Sequence, residues 1–204
     1  MKTTSVILLT LFVMGLALSV KKWAYEVVRI PTPSMSPSIL PGDYVLVEKW
    51  RLVLKRWNLE RGEAIVFQQP GEGDIRLVKR IAGLPGDFVQ WKDHRLSLNG
   101  SPLPRQKVSD QKALPQKGNY FEETNGRHSY LTPQEEDLWA PAWSAVILPG
   151  TVVVLGDNRD YSVDSRTWGS LDQKLVVGHP TRVLFSRNPS NGQVKWGRIG
   201  KIIP

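Results

Sequence analysis

Pro149-Gly150-Thr151-Val152-Val153-Val154-Leu155-Gly156-Asp157-Asn158-Arg159-Asp160-Tyr161-Ser162-Val163-Asp164-Ser165-Arg166 passes from a turn dipeptide, through five residues of β-branched and apolar character, into a dense polar run. A short apolar run of this kind, bounded by turn residues, reads as a buried strand. The same grammar recurs on either side of it. Val45 to Glu48, Ala64 to Phe67, Ile75 to Val78, Phe88 to Trp91 and Thr181 to Phe185 carry β-branched and aromatic residues. Gly42-Asp43, Pro70-Gly71, Pro85-Gly86, Asn99-Gly100 and Asn191-Gly192 punctuate them. No long amphipathic helix competes, and no βα alternation suggests a doubly wound sheet. The chain is therefore predicted to be mostly β.

Residues 92–145 differ, with many Gln, Lys, Pro and Glu and few sustained apolar runs. They read as an insertion or cap within a body spanning 23–204. Gln106 to Lys117 has little to bury against its ordering entropy and is predicted to be flexible. At the other end, Thr3 to Val20 is 18 residues without a charge, followed by Lys21, Lys22, Trp23 and Tyr25. At about 1.5 Å per residue the run covers about 27 Å, close to a hydrocarbon core of about 30 Å. Residues 1–22 are thus predicted to be one transmembrane anchor. A cleavable secretory signal is the rival reading, because Lys2 and the small residues of Ala17-Leu18-Ser19 suit it, but the apolar run exceeds a usual signal core. Charge gives no orientation, since Lys2 and the amino terminus balance Lys21 and Lys22.

The 204 residues allow one main folded body. With 27 Lys and Arg against 19 Asp and Glu, the net charge of +8 suits several partners and selects none. The basic residues are scattered rather than interleaved with aromatics, so nucleic-acid binding is not expected. The absence of cysteine removes disulfides, thiolate metal sites and a cysteine nucleophile together. His94, His128 and His179 are too far apart for a local metal site, and no metal or cofactor is predicted.

Three stretches carry candidate chemistry. Ile30-Pro31-Thr32-Pro33-Ser34-Met35-Ser36-Pro37 sets Ser34 among three prolines, each with a fixed φ. Such a turn presents a hydroxyl rigidly, as a nucleophile requires, although segments of this composition are commonly plain loops. Leu77-Val78-Lys79-Arg80-Ile81-Ala82-Gly83-Leu84-Pro85-Gly86-Asp87 places Lys79 at the end of an apolar strand. A lysine there either snorkels to solvent or, once buried, loses its proton readily and serves as a base. Gly156 to Arg166 mixes Asp, Arg, Asn and Ser too densely for a simple turn, which suggests an ion-paired support network. A calcium loop is disfavoured by Arg159 and Arg166 among the carboxylates and by the lack of a closing glutamate.

Taken together, the order and content of these stretches resemble the bacterial type I signal peptidases, serine-lysine peptidases with a β-rich catalytic fold. Ser34-Met35-Ser36-Pro37-Ser38-Ile39-Leu40, with Gly42-Asp43, is similar to the nucleophile box, and Arg61 to Phe67 to the following strand. Lys79 to Asp87 resembles the lysine box, Gly156 to Arg166 with Trp168-Gly169 the final box, and Lys195-Trp196 to Lys201 the C-terminal stretch. The likeness runs from Val28 to Ile202, interrupted by the insertion.

The resemblance implies Ser34 as nucleophile, Lys79 as general base, and Thr32 with the Ser34 backbone N–H as oxyanion hole. It implies Ser162 as the hydroxyl that orients the lysine, and Asp157, Asp164 and Arg166 as its supports. It also implies that Val28, Ile30, Met35, Ile39, Leu77 and Val78 line apolar pockets for small side chains before the cut. The implied activity is removal of signal peptides from secreted preproteins at Ala-x-Ala sites. The implied setting is the bacterial cytoplasmic membrane, with a monomeric, single-pass chain at the lipid bilayer and its catalytic domain on the extracytoplasmic face. Pro33 departs from the usual glycine, Ser38 from threonine, Glu63 from aspartate and Tyr161 from asparagine. A pilin-processing conjugative-transfer peptidase would share the dyad, and a non-catalytic membrane-anchored β module is a further alternative. A self-cleaving repressor would need a helix-turn-helix where this chain has its apolar run.

Overall fold

Valine and isoleucine dominate the segments that pair, and their branched side chains fill a pleated surface better than a helix. The computed structural model describes residues 7, 14, 15, 23–54, 58–71, 75–109, 114, 118–135 and 141–204. Its main sheet is antiparallel and has seven strands. Across the sheet they run β1 (Tyr25–Arg29), β2 (Asp43–Glu48), β14 (Val176–Ser186), β3 (Ala64–Gln68), β4 (Arg76–Gly83), β12 (Thr151–Leu155) and β13 (Leu171–Asp172). The longest strand, β14, pairs with β2 on one side and β3 on the other, with register shifts that bend it between them.

The central strands are apolar on both faces because both faces are covered. Ala64 and Val66 of β3 join a cluster with Val28, Ile30, Met35, Ile39, Val45, Val47, Val78 and Ile203. The alternate residues Ile65 and Phe67 point into a second cluster with Ile81, Val152 and Val154. Val153 and Leu155 of β12 face a third, with Ala82, Val89, Trp91, Leu96 and Ile147. This two-sided burial explains the unbroken run Thr151 to Leu155.

The 92–145 region is more regular than its composition suggested. β5 (Phe88–Lys92), β6 (Arg95–Leu98) and β7 (Ser101–Pro102) form a meander, closed on the other side by β11 (Trp143–Val146). A second small sheet joins β8 (Arg105–Lys107), β9 (Asn119–Asn125) and β10 (His128–Gln134). Of the segment 106–117, expected to be flexible, only the first of the described residues fall in a strand. Gln106 and Lys107 pair with Glu122 and Phe121 of β9, while 110–113 and 115–117 lie outside the described residues. Hydropathy missed these strands because their buried positions include polar residues, among them Glu123, Asn125 and Thr132.

β4 also differs from expectation, running to Gly83 with Lys79 inside it rather than at its end. Lys79-Arg80 interrupts the apolar pattern in sequence, yet both side chains are buried, because each meets a polar partner across the sheet. Among the described residues from β1 onward, α-helix is limited to the single turns α1 (Trp50–Val53) and α2 (Ser165–Trp168). Among the described residues no helix is long and apolar enough to cross a membrane. The apolar run 3–20 that carried the anchor expectation lies outside the described residues apart from 7, 14 and 15.

Candidate active site

Ser34 sits in a turn of chain between β1 and β2 that is fixed from three directions. Internally, Ser36 N donates to Pro33 O and Ile39 N to Met35 O, each at 2.9 Å. From below, Met35 and Ile39 are buried in the first core cluster. From outside, Arg198 donates to the carbonyls of Pro37 and Ser38 and pairs with Asp43. Gly42, at φ +89°, closes this segment where a Cβ would collide with the Arg187 carbonyl. The loop after β12 adds a fourth hold, with Asn158 N donating to Ser34 O at 3.1 Å and Asn158 Nδ2 to Pro33 O at 3.3 Å. Thr32 Oγ1 lies 3.3 Å from Ser34 Oγ.

Lys79 projects from β4 with only 3% of its surface exposed. Its ammonium donates to Ser162 Oγ at 2.9 Å. Burial pulls its pKa down to about 8, and nearby Arg166 pushes the same way, against the opposing pull of Asp164 and Asp157. Lys79, Ser34 and Thr32 line one cavity of about 230 Å³, together with Gln69, Leu77, Tyr161, Val163 and Trp168. Among the described residues no hydrogen bond joins Lys79 directly to Ser34.

Ser162 is held by an ion-paired network in the loop between β12 and α2. Asp164 caps α2, takes Arg166 in two bonds of 2.8 Å, and accepts Gly156 N at 3.0 Å. Burial alone would raise the Asp164 pKa, but the Arg166 hydrogen bond and charge, with the Gly156 N–H and the Ser162 hydroxyl, hold it below the usual carboxylate range. Arg166 also donates to Arg159 O at 2.6 Å. Asp157 takes the guanidinium of Arg80 in two bonds of 2.7 and 2.9 Å, both side chains being buried. Gly156 is the tight point, where a Cβ would lie 2.4 Å from both Ser162 Oγ and Ser34 O.

The three separate stretches of sequence thus meet around one cavity. Ser34, Thr32 and Lys79 line it, Ser162 bonds the lysine, and Asp157, Asp164 and Arg166 stand behind. The six apolar residues expected at the substrate pockets divide: Leu77 lines the cavity, whereas Val28, Ile30, Met35, Ile39 and Val78 are packed in the first core cluster.

Glu123 and Trp91 carry no role in the sequence reading, and Arg159 and Tyr161 enter it only as a cation unsuited to calcium and as a departure from the family's asparagine. Arg159 pairs with the buried Glu123 of β9 and donates to Gly156 O at 3.0 Å. Trp91 of β5 lies beneath the guanidinium groups of Arg159 and Arg166, at 5.2 and 5.1 Å from its ring centre. Tyr161 and Val163 flank Ser162 and line the cavity. His94, His128 and His179 face carboxylates of separate segments, Asp160, Glu60 and Glu63. Among the described residues no group of three or more metal-ligating side chains is assembled.

Known proteins resemble the chain over most of its length. A family model described as signal peptidase, peptidase S26, matches residues 3–185. Signal peptidase I of Pseudomonas aeruginosa is 32% identical over 197 residues, covering 85% of this chain and 69% of that protein. Signal peptidase I of Buchnera aphidicola from Acyrthosiphon pisum is 26% identical over 242 residues, covering 90% and 76%. Signal peptidase IB of Staphylococcus aureus is 37% identical over 147 residues, covering 71% and 70%. With the match extending over nearly the whole length, from the N-terminal apolar run to the end of β14, the chain belongs to the signal peptidases of peptidase family S26.

Proposed function

We propose that this chain is a serine endopeptidase that removes N-terminal signal peptides from exported preproteins, cutting after small residues of the Ala-x-Ala type. The observation that carries the reading is the buried Lys79, with its pKa drawn down to about 8, in the same cavity as Ser34. A lysine so placed is uncharged in an appreciable fraction near neutrality, which a base must be and a snorkelling lysine is not. Ser34 attacks the scissile carbonyl and Lys79 takes its proton, with Ser162 holding the amine in line. The Ser34 backbone N–H and the Thr32 hydroxyl stabilise the oxyanion. Lys79 hands the proton to the departing amine as the scissile C–N bond breaks, then takes a proton from the water that attacks the acyl-enzyme and returns it to Ser34 Oγ as the acyl group leaves as a carboxylate. The Lys79 to Ser34 contact forms as substrate enters, since catalytic hydrogen bonds tighten in the bound complex.

Residues 1–22 serve in this proposal as a single-pass anchor in the bacterial cytoplasmic membrane, with residues 23–204 as the catalytic domain on the extracytoplasmic face and 92–145 as an inserted cap. Such an anchor brings a monomeric enzyme and a membrane-held preprotein together by diffusion in two dimensions. Exposed Trp23 and Tyr25, next to the anchor, suit the lipid interface.

The test presents a membrane preprotein bearing an Ala-x-Ala site to the wild-type chain, Ser34→Ala and Lys79→Met, and follows release of the mature product. Wild type cleaves and neither variant does, while both keep the wild-type circular dichroism spectrum. Cleavage surviving in either variant removes that residue from its assigned role.

A further inference from the structure

Tyr161 occupies a position that neither the dyad nor its ion-paired support explains. It stands where the family resemblance expects asparagine, is 54% exposed, and lines the cavity that holds Ser34 and Lys79. An exposed tyrosine at a cavity mouth is ordinarily free to swing, but this one is pinned. Its phenol donates to Glu135 Oε1 at 2.8 Å. Glu135, just beyond the end of β10, is itself tied to the same loop, its backbone N–H donating to Asp160 Oδ2 at 2.9 Å. A buried pair between Arg159 and Glu123 of β9 secures the loop from beneath. The inserted region therefore grips the 159–161 turn at three adjacent residues, and the outermost grip fixes an aromatic ring.

The neighbours of Tyr161 make the consequence specific. Ser162 turns inward to Lys79, while Tyr161 and Val163 on either side line the cavity together with Gln69, Leu77 and Trp168. A substrate side chain entering there meets a phenol ring, Leu77, Val163 and the Trp168 indole, surfaces that set a size limit and offer few polar partners. Resting on the peptidase reading above, we propose that Tyr161 is a specificity-determining residue, forming with its Glu135 tether a rigid wall that limits the size of one substrate side chain near the scissile bond.

The wall and the tether are separable. Tyr161→Ala and Tyr161→Asn remove the ring, Tyr161→Phe keeps the ring and cuts the tether, and Glu135→Ala cuts the tether from the other end. The probe is a panel of signal-peptide substrates in which each position flanking the cut is varied through Ala, Val, Leu and Phe, with kcat/KM measured for each.

Tyr161→Ala and Tyr161→Asn are expected to raise relative kcat/KM for the larger side chains at one position by about tenfold or more, the usual worth of a methylene or two at a packed pocket wall. Tyr161→Phe and Glu135→Ala relax the same position by less, and the double variant relaxes it no further than either one, because both cut one bond. Size preferences unchanged in both ring-deletion variants overturn the wall. Additive effects of Tyr161→Phe and Glu135→Ala overturn the tether. Failure of the wild-type chain to cleave any member of the panel overturns the peptidase reading instead, so the two failures are told apart.

Discussion

Lys79 Nζ donates to Ser162 Oγ at 2.9 Å across a separation of 83 residues. That bond joins the middle of β4 to a loop braced by its own ion pairs, and it fixes where the amine can be. A long flexible side chain would otherwise spend much of its time in orientations useless to Ser34. Ser162→Ala is therefore expected to lower kcat by about 10- to 100-fold, the kinetic equivalent of one lost hydrogen bond to a charged group. KM should hold within about twofold, and single-turnover kinetics on a preprotein substrate separates the two. An equal loss in binding alone would show that Ser162 serves the substrate and not the lysine.

The lowered pKa of Lys79 has two readouts. As a base it works only uncharged, so kcat/KM is expected to rise with pH through about 8 and then level. Stability has the same window with a definite sign. Between about 8 and the ordinary 10.5 the unfolded chain holds a proton on this lysine that the folded chain does not, so stability rises with pH across that interval. Below about 8 both states are protonated and the burial cost is constant, amounting to about 3 kcal/mol. Lys79→Met should therefore unfold at higher urea than wild type at pH 7, with the gap closing as pH approaches 10.5. A gap independent of pH would mean that the lysine titrates normally.

Gly156 has no room for a methyl group, with Ser162 Oγ and Ser34 O each 2.4 Å from its would-be Cβ. Gly156→Ala must push apart the two segments that carry the nucleophile and the lysine's partner. The expected cost is about 1–3 kcal/mol of stability, with cleavage depressed well beyond what the remaining folded fraction accounts for. Thermal unfolding and cleavage at a temperature where the variant is fully folded distinguish the two effects.

Arg80 and Asp157 are both buried and bonded twice to each other, and Arg80 also donates to Gly62 O at 2.7 Å. Removing one partner strands the other charge in the interior. Asp157→Asn is expected to cost about 3–5 kcal/mol in urea unfolding, whereas Arg80→Met combined with Asp157→Leu should recover much of that loss. A mild effect of the single variant would show that water reaches the pair.

Much of the β framework was legible because burial on two faces leaves a plain mark. Val152 to Leu155 is apolar throughout since alternate residues enter different core clusters, and Ala64 to Phe67 reads the same way. The inserted strands were illegible for the opposite reason. Glu123 is a core residue there, made tolerable by Arg159 and Tyr130, and no hydropathy pattern marks a glutamate as buried when its partner is 36 residues away. Lys79 was misplaced to a strand end for the same cause.

The sequence by itself determined the residue types on which the chemistry depends: a hydroxyl among prolines, a lysine in an apolar run, and a polar box after a buried strand. It determined as well the turns that let these segments fold back on one another. Only the tertiary structure decided that the three share one cavity, that Lys79 is buried and bonded to Ser162, and that Val28, Ile30, Met35, Ile39 and Val78 come together in one core cluster. Residue identity fixes what a side chain is able to do, whereas its pKa, partner and access depend on desolvation and on charges brought near by segments distant along the chain, and those exist only once the sheet has closed.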